Sequence, residues 1–189
     1  MKWQRPALLW TAVLAAGLGL WAGHRLAPAP APAASDTPPA ASPAAAATPA
    51  LQVGDPLPAL TLPDLDDRPL DLRQRFAGRP LLINVWASWC APCVEEMPEL
   101  ARFARGQGDN GVQVLGLALD TLEDVRGFLQ RVPVGYPIVI ETPGPRDASV
   151  QLGNTQGLLP YSVLFDAQGR LVKAKLGPFA HGEIDRWVK

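Results

Sequence analysis

The chain has 189 residues, 48% of them hydrophobic, with a formal net charge of −1 and only two cysteines, two histidines and two methionines. So balanced a charge excludes the basic footprint that nucleic acid requires, and no long single-sign run marks a tail for a charged partner. Length and apolar content fit one ordinary domain with a sizeable core, but the first fifty residues differ in composition from the rest.

Lys2 and Arg5 precede an unbroken apolar stretch from Pro6 to Gly23. As a helix this stretch reaches roughly 27 Å, close to the hydrocarbon thickness of a bilayer. It exceeds the apolar core of a usual cleaved signal, and Trp21, His24 and Arg25 stand where small residues would mark cleavage. Residues 1–26 are therefore expected to form an N-terminal membrane anchor, with a signal sequence as the alternative, and His24 falls at the membrane interface. The N-terminal charges stay in the cytoplasm, which places the remainder of the chain outside it. Residues 27–50 are almost entirely Ala and Pro, a composition that buries no core and reads as an extended linker.

The folded domain is expected over residues 51–189. Turn signals at Gly54-Asp55-Pro56 and Asp66-Asp67-Arg68-Pro69 bracket Ala59–Leu62 and Leu70–Leu72, which predicts a small β-hairpin. Pro80–Ala87 and Gly111–Leu119 are continuous apolar runs with the character of buried strands. Thr121 and Asp124 form a capping-box pattern ahead of Leu122, Val125, Phe128, Leu129 and Val132, an amphipathic helix stopped by Pro133. A short strand follows at Pro137–Glu141 and a helical turn at Asp147–Leu152. Tyr161–Asp166 and Arg170–Leu176 make a hairpin about Ala167-Gln168-Gly169, and a last helix runs over Gly182–Lys189. Strands alternating with helices and closed by a hairpin predict an α/β fold with a mixed sheet covered on both faces.

Both cysteines lie in Trp89-Cys90-Ala91-Pro92-Cys93, directly after the first buried strand. A structural zinc site needs about four ligands, and His24 and His181 are the only histidines, neither at zinc-finger spacing, so no metal is expected. Haem attachment needs a histidine after the second cysteine, where Val94 stands. A disulfide closing so short a loop is a poor staple, because it removes little unfolded-state entropy. The pair therefore reads as a redox-active dithiol whose chemistry is thiol-disulfide exchange.

The two sulfurs are not equivalent. Cys90 falls at the first turn of a helix, where unpaired N–H groups and the positive dipole end favour a thiolate, which makes it the exposed nucleophile. Cys93, one turn inside, is the resolving thiol. Pro92 suits the first turn, where its missing N–H is not needed. At about 100° per residue Cys93, Met97, Leu100 and Ala104 share a helix face, Glu95 points away, and Glu96 lies on the border, half-buried. A carboxyl group there has a raised pKa and is a candidate for proton transfer with Cys93. Trp86 is expected in the core and Trp89 on the rim, facing substrate.

The run Asn84-Val85-Trp86-Ala87-Ser88-Trp89-Cys90-Ala91-Pro92-Cys93, then Glu96-Met97-Pro98, then Leu159-Pro160 before a strand, resembles the membrane-anchored thioredoxin-like proteins of the TlpA and ResA type. The resemblance implies a thioredoxin fold with an N-terminal β-hairpin extension and a bacterial thiol-disulfide oxidoreductase, usually a reductant, held in the inner membrane by a single pass with its catalytic domain in the periplasm. It implies an active-site glutamate at Glu96 and a cis-Pro160. Leu159 before it faces the dithiol and offers its backbone to a substrate strand. Asn84 stands where cytoplasmic thioredoxins carry a buried aspartate. The candidate substrate-binding set is Trp89, Ala91, Pro92, Leu159 and Pro160.

The expected activity is reduction of protein disulfides, for example in cytochrome c or copper-site maturation, without a cofactor. The partners are protein substrates and a transmembrane thiol electron donor. A thiol oxidase runs the same chemistry in reverse. A peroxiredoxin-like peroxidase wants a hydroxyl residue where Ala87 stands, and a copper-binding chaperone lacks further soft ligands beyond Met97.

Overall fold

The computed structural model describes residues 51–189; the expected anchor at 1–26 and linker at 27–50 lie outside the described residues. Among those described, no helix is long and apolar enough to cross a membrane.

The first element is the expected hairpin, strand β1 (Thr61–Pro63) paired antiparallel with β2 (Pro69–Asp71). The extended stretch anticipated to Leu72 stops one residue earlier, because Leu72 opens a short helix α1 (Leu72–Arg75) that sequence reading missed. Asp71 is the reason: its Oδ1 accepts from the Gln74 N–H at 3.0 Å, capping the turn and ending the strand.

The chain then builds a five-stranded sheet in the order β5-β4-β3-β6-β7. Its strands are β3 (Leu81–Trp86), β4 (Gln113–Leu119), β5 (Ile138–Glu141), β6 (Tyr161–Phe165) and β7 (Leu171–Leu176). Strands β3, β4 and β5 run parallel, and β6 and β7 antiparallel to their neighbours. Every residue of central β3 is buried, which explains its unbroken apolar run with Asn84 as the one polar interruption.

Helices cover both faces. Helix α2 (Ala91–Arg105), α3 (Leu122–Arg131) and α5 (Ile184–Trp187) pack where Leu82, Trp86, Met97, Leu100, Phe128 and Ile184 form one core. On the opposite face the hairpin, α1 and α4 (Ala148–Gln151) enclose Leu62, Leu72, Ile83, Val85, Leu117 and Phe165. The Thr121 cap forms as expected, accepting from the Asp124 N–H at 3.1 Å. Its reciprocal bond differs: the Asp124 carboxylate takes the Thr121 hydroxyl hydrogen, while the Thr121 N–H goes to Asp120.

Gly116 on β4 pairs with Asn84 on β3 and lets the core close over the middle of the sheet. A Cβ there would stand 2.4 Å from Ile138 Cδ1, 3.0 Å from Trp86 Nε1 and 3.3 Å from Tyr136 Cε2. Ile138 can swing its terminal methyl, whereas the Trp86 ring is fully buried and held against Phe128 with ring centroids 5.4 Å apart. Gly116→Ala is accordingly expected to lower the free energy of urea unfolding by about 1–2 kcal/mol through overpacking.

Candidate active site

Strand β3 feeds the dithiol through a tight turn closed by the Cys90 N–H on the Ala87 carbonyl at 3.1 Å. Cys90 is the N-cap of α2 rather than a residue of its first turn, with extended backbone (φ −89°, ψ 98°) and no side-chain cap bond. Pro92 occupies the first turn as expected. The helix therefore opens with unpaired N–H groups and its positive end beside the Cys90 sulfur. Cys90 and Cys93 are joined as a disulfide with Cα atoms 5.3 Å apart.

The anticipated exposure of Cys90 needs correction. It is 6% exposed against 0% for Cys93, because its sulfur is folded back onto Cys93 and the core. The asymmetry survives on a smaller scale: Cys90 keeps a little exposure and Cys93 has none. Trp86 is in the core as expected, and Trp89 is 67% exposed beside the disulfide, with Ala91 and Pro92 exposed next to it.

The loop carrying Trp89 is held from β4. Asp120, at the end of that strand, accepts from the Ser88 N–H at 2.9 Å and from the Ser88 hydroxyl at 2.6 Å through one oxygen. Its other oxygen takes the Thr121 N–H at 2.8 Å. Sequence reasoning missed this pair; the available signal was a carboxylate at the C-terminal end of a buried strand, where α/β folds place functional groups.

Glu96 is more deeply placed than the helical wheel implied, at 2% exposed. The wheel describes α2 alone, whereas the C-terminal segment lies over that border and donates the Phe179 N–H to Glu96 Oε2 at 2.7 Å. Its other oxygen accepts from Asn84 Nδ2 at 2.8 Å. Burial pushes the carboxyl up to about 7 from 4.5, opposed by these two hydrogen bonds and the positive charge of Lys175. Asn84 thus stands against Glu96 as its hydrogen-bond partner, a role its replacement of aspartate did not announce. Glu95 is exposed, as expected.

One turn further along α2, Glu99 has the opposite electrostatic setting. Hydrogen bonds from Arg102 at 2.8 and 3.0 Å, with the Gly182 N–H at 2.7 Å, hold it down at about 2. Arg102 also pairs with Asp185, and Lys175 with Glu183 at 2.9 Å, so the segment around Phe179 is fastened to both α2 and β7.

The Leu159–Pro160 peptide bond is cis, as the family resemblance implied. Pro160 itself is buried, Leu159 half-buried and Leu158 48% exposed. Buried Asn154 braces the loop, donating from Nδ2 to the Leu158 carbonyl at 3.1 Å and accepting the Leu158 N–H on Oδ1 at 3.2 Å. Neither the N–H nor the carbonyl of Leu159 has a hydrogen-bond partner among the described residues. The dithiol thus stands as a nearly buried disulfide at a helix N-terminus with an exposed apolar Trp89 next to it, and the segment before β6 carries an unpaired backbone at Leu159.

The Redoxin family profile matches residues 52–186. The chain is 36% identical over 132 residues to the thiol:disulfide interchange protein DsbE of Allochromatium vinosum, covering 69% of this chain and 70% of that protein. It is 30% identical over 143 residues to the thiol-disulfide oxidoreductase ResA of Geobacillus thermodenitrificans, covering 74% and 78%. Among solved structures, a thioredoxin-related protein from Neisseria meningitidis serogroup B is similar with a TM-score of 0.60 and 32% identity, over 67% of this chain and 95% of that one.

The raised carboxyl has a consequence for stability. Between about 4.5 and about 7 the folded protein binds more protons at Glu96 than the unfolded chain, so this group's contribution falls as pH rises through that window. The loss is on the order of 3 kcal/mol at most. Glu99 acts elsewhere, its contribution disappearing only as pH falls from 4.5 toward about 2. Urea unfolding of the oxidised protein at about pH 5 and about pH 8 is expected to show the Glu96 loss in the wild type and a markedly smaller one in Glu96→Gln.

Proposed function

The chain belongs to the redoxin family, as a thioredoxin-like thiol-disulfide oxidoreductase of the TlpA and ResA type, and from this we propose that it is a membrane-tethered reductase of protein disulfides outside the cytoplasm. The observation that carries the reading is the Cys90–Cys93 disulfide at the N-terminus of α2, with Cys90 the less buried of the two.

In the reduced protein, the Cys90 thiolate attacks one sulfur of a substrate disulfide, forming a mixed disulfide and expelling the other substrate sulfur as a thiolate. Cys93 then yields its proton to the Glu96 carboxylate, and its thiolate attacks the Cys90 sulfur. The mixed disulfide breaks, the second substrate sulfur departs, and the protein is left as the disulfide, two electrons having passed to the substrate. The helix terminus supports this division of labour, since such placement lowers a cysteine pKa from about 8.5 into a range of roughly 3.5 to 7.5. Glu96 supports the second step because it lies one helical turn from Cys93 with a proton affinity near neutrality.

Substrate lies between Trp89, Ala91 and Pro92 on one side and Leu158, Leu159 and Pro160 on the other, and pairs as an added strand with the unpartnered backbone of Leu159. Residues 1–26 anchor the protein in the bacterial inner membrane, 27–50 tether it, and the thioredoxin-like domain from residue 51 works in the periplasm. A transmembrane thiol carrier returns electrons to the dithiol. Cysteine pairs of apocytochromes c or of copper-site proteins are suitable substrates, in keeping with the oxidoreductase relatives.

Iodoacetamide at neutral pH is expected to alkylate Cys90 of the reduced protein much faster than Cys93, and Cys90→Ser to abolish reduction of insulin disulfides; equal labelling rates would remove the assignment of roles.

Cys93→Ser, expressed in its native envelope, is expected to accumulate covalent complexes through Cys90, and those partners name the pathway. Acid-quenched alkylation should find the wild type mainly as dithiol, turning to disulfide when the membrane electron donor is removed. A protein held mainly as disulfide in both strains would make it an oxidase.

A further inference from the structure

Asn84 lies in the middle of β3, wholly buried beneath α2. Strand register places Ile138, Gly116, Asn84, Ser162 and Lys175 in one row across the sheet, apolar at the β5 edge and charged at the β7 edge. Asn84 Nδ2 gives one hydrogen to Glu96 Oε1 at 2.8 Å and the other to Ser162 Oγ at 3.0 Å. Both donors are thereby used, while the buried Oδ1 has no hydrogen-bond partner among the described residues.

An amide paired only through its donors suits an ionised carboxylate, which accepts and cannot donate. Once Glu96 takes a proton, its O–H needs an acceptor. Of the groups bonded to Glu96, the Phe179 N–H donates in both states, and Asn84 alone can exchange a donor for an acceptor. Turning the amide about its last side-chain bond, a broad two-fold torsion, brings Oδ1 to face Glu96. The Ser162 hydroxyl then rotates and donates where it previously accepted. Either orientation makes two hydrogen bonds and leaves one end of the amide unpaired, so the two states differ little in cost.

We propose that Asn84, held by Ser162, is the positioning residue that sets how tightly Glu96 holds its proton, and that its side-chain amide turns as Glu96 passes between carboxylate and carboxylic acid. The role in exchange rests on Glu96 being the proton acceptor for Cys93. The other titratable groups around Glu96 are Lys175 on β7, Glu183 ahead of α5 and Tyr136 ahead of β5, while Cys93, one turn away on α2, is held in the disulfide. Lys175 is engaged with Glu183, and burial together with the Glu96 charge pushes the Tyr136 phenol up.

The test is infrared titration of the full-length oxidised protein, with the Glu96 carboxyl band identified by its absence in Glu96→Gln. The wild-type midpoint is expected near 7. Asn84→Leu, close in volume, can neither donate to the carboxylate nor accept from the acid; because the bond to the ionised carboxylate is the stronger of the two, the midpoint is expected to rise by about one pH unit, leaving about five-fold less carboxylate at pH 7. In that variant the resolving step slows and recovers at alkaline pH. Ser162→Ala is expected to give a smaller upward shift, because it orphans an amide hydrogen only in the carboxylate state; it also serves if Asn84→Leu fails to fold. With isotope-labelled asparagine, the Asn84 carbonyl band should move with the midpoint of Glu96. Unshifted midpoints in the variants, or an Asn84 band that stays still through the titration, would overturn the proposal. A wild-type pH–rate profile in Glu96→Gln would instead count against Glu96 as the proton acceptor, and leave the infrared midpoints to decide the role of Asn84.

Discussion

A carboxyl group taken out of water beside a disulfide is the constraint around which this domain is arranged. Glu96 keeps its hydrogen bonds only if three parts of the chain stay in place: the middle of β3 supplies Asn84, α2 supplies the carboxyl, and the C-terminal segment supplies the Phe179 N–H. An unpaired buried carboxylate is far costlier than an unpaired amide, so these contacts specify where the last residues of the domain lie. The same burial brings the proton affinity of Glu96 close to neutrality, where proton transfer with a thiol is most useful.

Glu99 completes this fastening in a different way. It is buried but matched by Arg102, and it accepts the Gly182 N–H, so two carboxylates three residues apart grip the same C-terminal segment. Lys175 adds the β7 side, pairing with Glu183 while its ammonium sits 5.5 Å from the centre of the Phe179 ring. Lys173 stands likewise over Trp187, whose ring meets Phe179 edge-on with centroids 5.2 Å apart. The edge strand, dithiol helix and C-terminal turn are thereby tied into one body behind the sulfurs.

The two loops that carry exposed apolar side chains, before Cys90 and before Pro160, have their backbones braced from within the domain. Asp120 holds the loop before Cys90, and Asn154 holds the loop before Pro160. Exposed Trp89 and Leu158 are thus presented on supported segments, and the docking proposed above would cost less ordering for that reason.

Much of this was legible in the sequence because the signals were local. The continuous apolar run of β3, the Thr121 cap, the closing hairpin and the cysteine spacing each depend on neighbours a few residues away, and each stands where expected. Residue order alone also separated Cys90 from Cys93 and Glu95 from Glu96, since position along a helix decides which groups meet its N-terminus or its buried face. Tertiary structure decided how deeply Glu96 is buried and what holds it, because a helical wheel contains no information about the C-terminal segment that arrives 83 residues later. It equally decided the partnership of Asn84 with Ser162, 78 residues apart, and that of Ser88 with Asp120, 32 apart. Those contacts arise from strand order and register, which place distant residues side by side while leaving no local pattern in the chain.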